Sequence, residues 1–190
     1  IPQYVADMVT LLARLDVAAV DWLGTSMGGM IGMALAAQPE TPIRRLILND
    51  VGPLIAAGAL KRIGEYLGSA PVFASLDEAE RFIRAVSAPF GNLTDAQWRQ
   101  LTVHVTKALP PGQFALRYDP GIAAPFAAAA ASQGEGKDID LWPLYDAIRC
   151  PTLVIRGEHS DLLSRATVAA TSRPFTRSLT VAVSTGRLPS

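Results

Sequence analysis

One stretch of the chain limits the fold more than any other. Residues 17–38 read Val-Ala-Ala-Val-Asp-Trp-Leu-Gly-Thr-Ser-Met-Gly-Gly-Met-Ile-Gly-Met-Ala-Leu-Ala-Ala-Gln. The apolar run 17–23 has the length of a strand. Gly24-Thr25-Ser26-Met27-Gly28 follows as a sharp turn. Residues 30–38 continue as a small-residue helix closed by Pro39. A strand, a tight turn with serine at its tip and a helix form the context that a G-x-S-x-G nucleophile elbow requires.

The chemistry accounts for the spacing. A serine hydroxyl is a weak nucleophile until it is held where a base can reach it. A strained turn would lift Ser26 above the carboxyl ends of the strands, and Gly24 and Gly28 supply the small neighbours that strain calls for. Gly29 and Gly32 predict a close approach of helix to sheet. The amide of Met27, first in the helix, is expected to face the oxygen on which negative charge develops. The plain alternative is a glycine-rich turn with a structural serine.

The flanking segments set the fold class. Residues 2–15 place Val5, Met8, Val9, Leu12 and Leu15 on one helical face, with Pro2 in the first turn. Residues 43–48 read as the next strand, and Asn49-Asp50-Val51-Gly52-Pro53 as the turn at its carboxyl end. Helices and strands alternating through short loops imply an α/β fold, a parallel sheet with flanking helices. Ligands of such sheets sit beyond the carboxyl ends of the strands.

The alternation breaks after residue 55. Helices are predicted at 57–67, at 76–86 behind Ser75 with Glu78 three residues on, and at 94–108 behind Thr94 with Gln97. Pro110-Pro111-Gly112 ends the third, and 123–131 is Ala-rich. No core strand is predicted before the sheet resumes at 152–155. The loop Gly157-Glu158-His159-Ser160-Asp161, a helix at 162–171 and a last strand at 179–183 follow. The expected organisation is core over 1–55, a helical insertion over 56–145, and core again over 146–190.

Composition narrows the function classes. Hydrophobic residues make up 49% and charged ones 18%, enough for a buried core. Lys plus Arg and Asp plus Glu number 17 each, which gives no reason to expect nucleic acid as a partner. Cys150 is alone, so no internal disulfide and no metal cluster is expected. The opening Ile1-Pro2-Gln3-Tyr4 is not a secretory start, and no apolar window of about 18 residues exists. A cytoplasmic location, no membrane partner and no cofactor are the resulting expectations.

A catalytic set can be nominated. Ser26 is the nucleophile, and Asp161 is the acid that holds a histidine base, in the chain order Ser, Asp, His. Asp50, at the same sheet edge, is the second candidate for the acid. The alternative for Asp161 is a cap on the helix starting at Leu162. His104 lies mid-helix in the insertion, and His159 stands two residues before Asp161. Neither is assigned as the base, so no catalytic histidine and no metal ligand is named.

These residues resemble the α/β-hydrolase family, in its serine-nucleophile branch with a helical cap. The resemblance rests on Gly24-Thr25-Ser26-Met27-Gly28-Gly29, Leu48-Asn49-Asp50-Val51-Gly52-Pro53, Tyr118-Asp119-Pro120, and Cys150-Pro151-Thr152-Leu153-Val154-Ile155-Arg156-Gly157 with Ser160-Asp161. It implies that 56–145 is the cap and that the substrate is a small apolar ester or related acyl compound. It also implies an N-terminal half with more strands and a His-Gly loop, and a Gly-His pair after the last strand. Gly186-Arg187-Leu188-Pro189 stands at that last position, and an arginine stays protonated. The chain is therefore expected to be a fragment without that half and without the triad histidine. A catalytically inactive remnant, or a ligand- or partner-binding protein of the same fold, is the alternative.

Overall fold

A computed structural model describes residues 1–124, 136–172 and 178–184, the last segment by its backbone alone. Numbered along the chain, the helices are α1 (Pro2–Leu15), α2 (Met27–Ala36), α3 (Ala57–Leu67), α4 (Leu76–Val86), α5 (Asp95–Val105), α6 (Trp142–Asp146) and α7 (Arg165–Thr171). The strands are β1 (Val20–Thr25), β2 (Ile43–Asn49), β3 (Leu54–Ile55), β4 (Val72–Phe73), β5 (Thr106–Leu109), β6 (Gln113–Leu116), β7 (Ile139–Asp140), β8 (Thr152–Gly157) and β9 (Ser178–Ser184). Two compact units result, one from Ile1–Ala56 with Asp138–Thr185 and the other built on Ala57–Lys137.

In the first unit β1, β2, β8 and β9 form a parallel sheet in that order, as the alternation predicts. A sheet with helices on its faces needs apolar residues on both sides of its inner strands. Strand β2 buries Ile43, Leu46 and Leu48, and β8 buries Val154. From α2, Met33 and Leu35 join them. Cutting any of these buried chains back to alanine removes about 2–5 kcal/mol. A short antiparallel pair, β3 with β7, and the buried Tyr145 of α6 complete the unit. Among the described residues β1 pairs on one side only, and Leu23 is 64% exposed on that edge.

Several boundaries differ from expectation. Strand β1 starts at Val20 rather than at residue 17. Asp16 ends α1 in the left-handed region with φ 50°, and the parallel ladder opens only where the Val20 N–H meets the Pro42 carbonyl at 2.9 Å. Helix α2 starts at Met27, directly after the serine, and ends at Ala36. Helix α7 starts at Arg165 rather than at residue 162. Its cap is Ser164, whose Oγ accepts the Thr167 N–H at 2.9 Å. That corrects the reading of Asp161 as a helix cap.

The second unit holds α3, α4 and α5, with α4 packed on α5 and Phe73, Ala79, Ile83 and Trp98 buried. Both anticipated caps are present, Ser75 on α4 and a reciprocal Thr94–Gln97 box on α5. The expected helix over 94–108 stops at Val105. The chain then runs as an antiparallel hairpin, β5 with β6, extended by β4. The pairing of β5 with β6, from Thr106 opposite Leu116 to Leu109 opposite Gln113, accounts for the switch. The unit is thus helical with a small sheet of its own, where the sequence suggested helices alone. The Ala-rich segment 123–131 lies largely outside the described residues, as do Gly186 and Arg187.

Candidate active site

A sharp turn joins β1 to α2, as the order strand, turn, helix predicts. Ser26 sits between β1 and α2 with φ 51° and ψ −121°, a region in which an L residue carries strain of about 1–3 kcal/mol. Three sets of bonds hold it there. Its N–H donates to the Asn49 carbonyl at 3.3 Å. Its own carbonyl accepts from Gly29 N at 2.9 Å and Met30 N at 3.2 Å, closing the first turn of α2. Across the turn, Trp22 Nε1 donates to the Gly28 carbonyl at 3.0 Å. The Ser26 side chain is exposed and does not cap α2.

The glycines divide by role. A Cβ on Gly24 would fall on the Gly28 carbonyl group, and one on Gly29 would run into Val51 Cγ1. At Gly32 it would stand 2.5 Å from Trp22 Nε1. These three permit the close helix–sheet approach. At Gly28 a Cβ would meet nothing within 4 Å, so its expected part in making room for the turn is corrected. The amide of Met27 opens α2, ahead of any carbonyl four residues back that could accept it within the helix.

Sheet register brings the candidates to one edge. Thr25 pairs with Asn49, and Asn49 with Ile155, so one row crosses β1, β2 and β8 at their carboxyl ends. Strands lie about 4.8 Å apart, so this row spans about 10 Å. Ser26 follows it on β1, Asp50 follows it on β2, and β8 runs two residues further to Gly157 before the loop that carries Asp161. Asp161 is exposed in that loop, and so is His159. His104 belongs to α5 in the other unit and is exposed there.

Asp50 is fixed in its own way. It has φ 53°; its N–H donates to the Ile155 carbonyl at 2.8 Å, and its Oδ1 accepts from Gly157 N at 3.0 Å. One residue earlier, Asn49 Nδ2 donates to Thr25 Oγ1 at 3.0 Å.

Sequence reasoning missed Arg156, which is 7% exposed. Its Nε donates to the Leu163 carbonyl at 2.7 Å, Nη1 to Glu158 at 3.0 Å and Nη2 to Ser160 at 3.0 Å. Ser160 Oγ accepts the Leu163 N–H at 3.1 Å inside the same loop. A guanidinium fixed by its fork geometry is suited to gathering several carbonyls at once. The signal was alternation, because Thr152, Val154 and Arg156 share the buried face of β8. Among the described residues no group of three or more His, Cys, Asp and Glu is close enough to hold a metal ion. No described helix is long and apolar enough to cross a membrane.

Comparison with known proteins agrees with this architecture. Residues 2–186 match the family model of the alpha/beta hydrolase fold. A 3-hydroxybutyrate-oligomer hydrolase of Cupriavidus necator is 47% identical over 172 residues, covering 89% of this chain and 59% of that protein. A 2-(acetamidomethylene)succinate hydrolase of Mesorhizobium japonicum is 25% identical over 173 residues, covering 90% and 58%. Among solved structures, an alpha/beta hydrolase from Novosphingobium aromaticivorans has a TM-score of 0.80 at 35% identity, covering 94% of this chain and 63% of its own. The chain spans about three fifths of the length of these relatives.

Proposed function

Because this chain belongs to the α/β-hydrolase fold family, we propose that it supplies the nucleophile and the acid of a serine hydrolase that cleaves an ester or related carbonyl substrate. The observation that carries the reading is the strained backbone of Ser26, held at the strand–helix junction by bonds from both sides. Strain of this kind persists only where the surroundings impose it, and it concentrates at working sites. The 47% identical relative, named for a hydrolase of 3-hydroxybutyrate oligomers, supports an ester as the substrate. Residues 56–145 are proposed as the family's cap insertion.

In this scheme Ser26 Oγ attacks the carbonyl carbon and gives its proton to a histidine. The carbonyl electron pair moves onto oxygen, where the Met27 N–H receives the charge. The C–O bond then breaks, the alcohol leaves with the proton, and water releases the acyl group by the same steps. Asp161 orients the imidazole and stabilises its charged form. We assign that base to neither His104 nor His159, the two histidines of the sequence.

That shortage favours a second reading, a catalytically silent member of the fold. A fluorophosphonate probe separates the two. Labelling at Ser26 in the folded chain, lost in Ser26→Ala, supports the hydrolase. A folded chain that takes no label supports the silent form.

A further inference from the structure

We propose that Asp50 is a positioning residue that sets the Asp161 loop against the nucleophile elbow, rather than the acid itself. The proposal rests on the serine-hydrolase reading. Strand β2 lies between β1 and β8, and its last residue, Asn49, and the next one, Asp50, act in opposite directions. Asn49 holds the elbow, accepting the Ser26 N–H on its carbonyl and donating from Nδ2 to Thr25 Oγ1. Asp50 holds the other side, donating its N–H to the Ile155 carbonyl and accepting the Gly157 N–H on Oδ1.

The bond to Gly157 is the informative one. Gly157 is the last residue of β8, and the loop with Asp161 starts at the next position. After Ile155, β2 no longer continues as a strand to hold β8 on that side. The Asp50 carboxylate takes the place of a main-chain acceptor there. Asp50 reaches Gly157 by adopting φ 53°, a conformation that aspartate tolerates better than most residues. Ser26 and the acid loop are thereby referred to two consecutive residues, the last of β2 and the one after it.

The role needs an oxygen acceptor but not a charge, which gives the test. In the full chain, Asp50→Ala and Asp50→Asn are compared by the hydrogen exchange of the Gly157 amide and by the rate of Ser26 labelling with a fluorophosphonate. Circular dichroism confirms that each variant is folded. Asp50→Ala should speed Gly157 exchange about tenfold or more. It should slow labelling about tenfold at unchanged half-saturating probe, since a misplaced loop weakens chemistry more than binding. Asp50→Asn should restore both to within about threefold of the parent. If Asp50→Asn loses labelling while Asp161→Asn keeps it and Gly157 stays protected, Asp50 is the acid and the proposal falls. If Asp50→Ala frees Gly157 but labels at the parent rate, positioning falls and the hydrolase reading stands. If the parent itself takes no label, both fall together.

Discussion

Trp22 Nε1 and the Gly28 carbonyl meet at 3.0 Å, so a side chain of β1 ties down the first turn of α2 directly after Ser26. The same indole nitrogen occupies the space a Cβ at Gly32 would need. Trp22→Phe should therefore lower stability by about 1 kcal/mol through the lost bond. Gly32→Ala should lower it by about 1–3 kcal/mol through overpacking. Gly28→Ala, with open space around its Cβ, should be neutral or stabilising by up to about 1 kcal/mol. Urea unfolding of the three variants checks the ranking.

The strain at Ser26 predicts a trade between stability and chemistry. Ser26→Gly should raise the unfolding free energy by about 1 kcal/mol, because glycine adopts φ 51° without cost. Ser26→Ala keeps the strained backbone and should leave stability near the parent value. Both should abolish fluorophosphonate labelling. A denaturation curve for Ser26→Gly that coincides with that of Ser26→Ala would show that the turn stores no strain.

Arg156 makes the loop after β8 depend on one buried side chain. Arg156→Met keeps much of the volume but leaves the Glu158, Ser160 and Leu163 carbonyls without their donor. A loss of about 3 kcal/mol or more is expected. Arg156→Lys should recover only part of it, since an ammonium cannot present a planar fork to three acceptors. Thermal unfolding and amide exchange across 158–163 measure both effects.

At the exposed edge Arg44 of β2 bonds Asp21 of β1 through Nε at 3.1 Å and Nη2 at 2.9 Å. That guanidinium, aided by Arg45, holds the Asp21 carboxyl below its usual range. A carboxylate with a lowered folded-state pKa adds stability above its ordinary titration range. The contribution disappears as the pH falls through the lowered value. NMR titration should show Asp21 titrating low in the parent chain and moving up in Arg44→Gln. Added salt should shrink the difference, because the pair is in solvent.

Much of this architecture was legible in the residues. The Gly24–Gly29 turn announced the elbow, and the alternation around it announced a parallel sheet. The boundary of α1 and those of α3 and α4 followed from Pro2, from apolar periodicity and from the Ser75 cap. The end of α5 did not. Periodicity carries past Val105, and only the partnership of β5 with β6, a tertiary effect, makes Thr106 a strand residue. The alternative of Asp161 as a cap was open because aspartate is a cap type, but Ser164, three residues on, is one as well, and only the geometry chooses Ser164. The bond of Asp50 to Gly157 joins residues 107 positions apart, a separation no local pattern encodes.

The Arg156 clamp has a bearing on how such a loop can change. Its guanidinium grips main-chain carbonyls, which every amino acid possesses, and ignores the identities of the residues it holds. The loop's path is thereby separated from its side-chain content. Exposed positions such as Glu158 and His159 can be rewritten, by drift or in a randomised library, on a backbone that keeps its course. A single buried side chain inside the sheet leaves the loop beyond it an interchangeable surface.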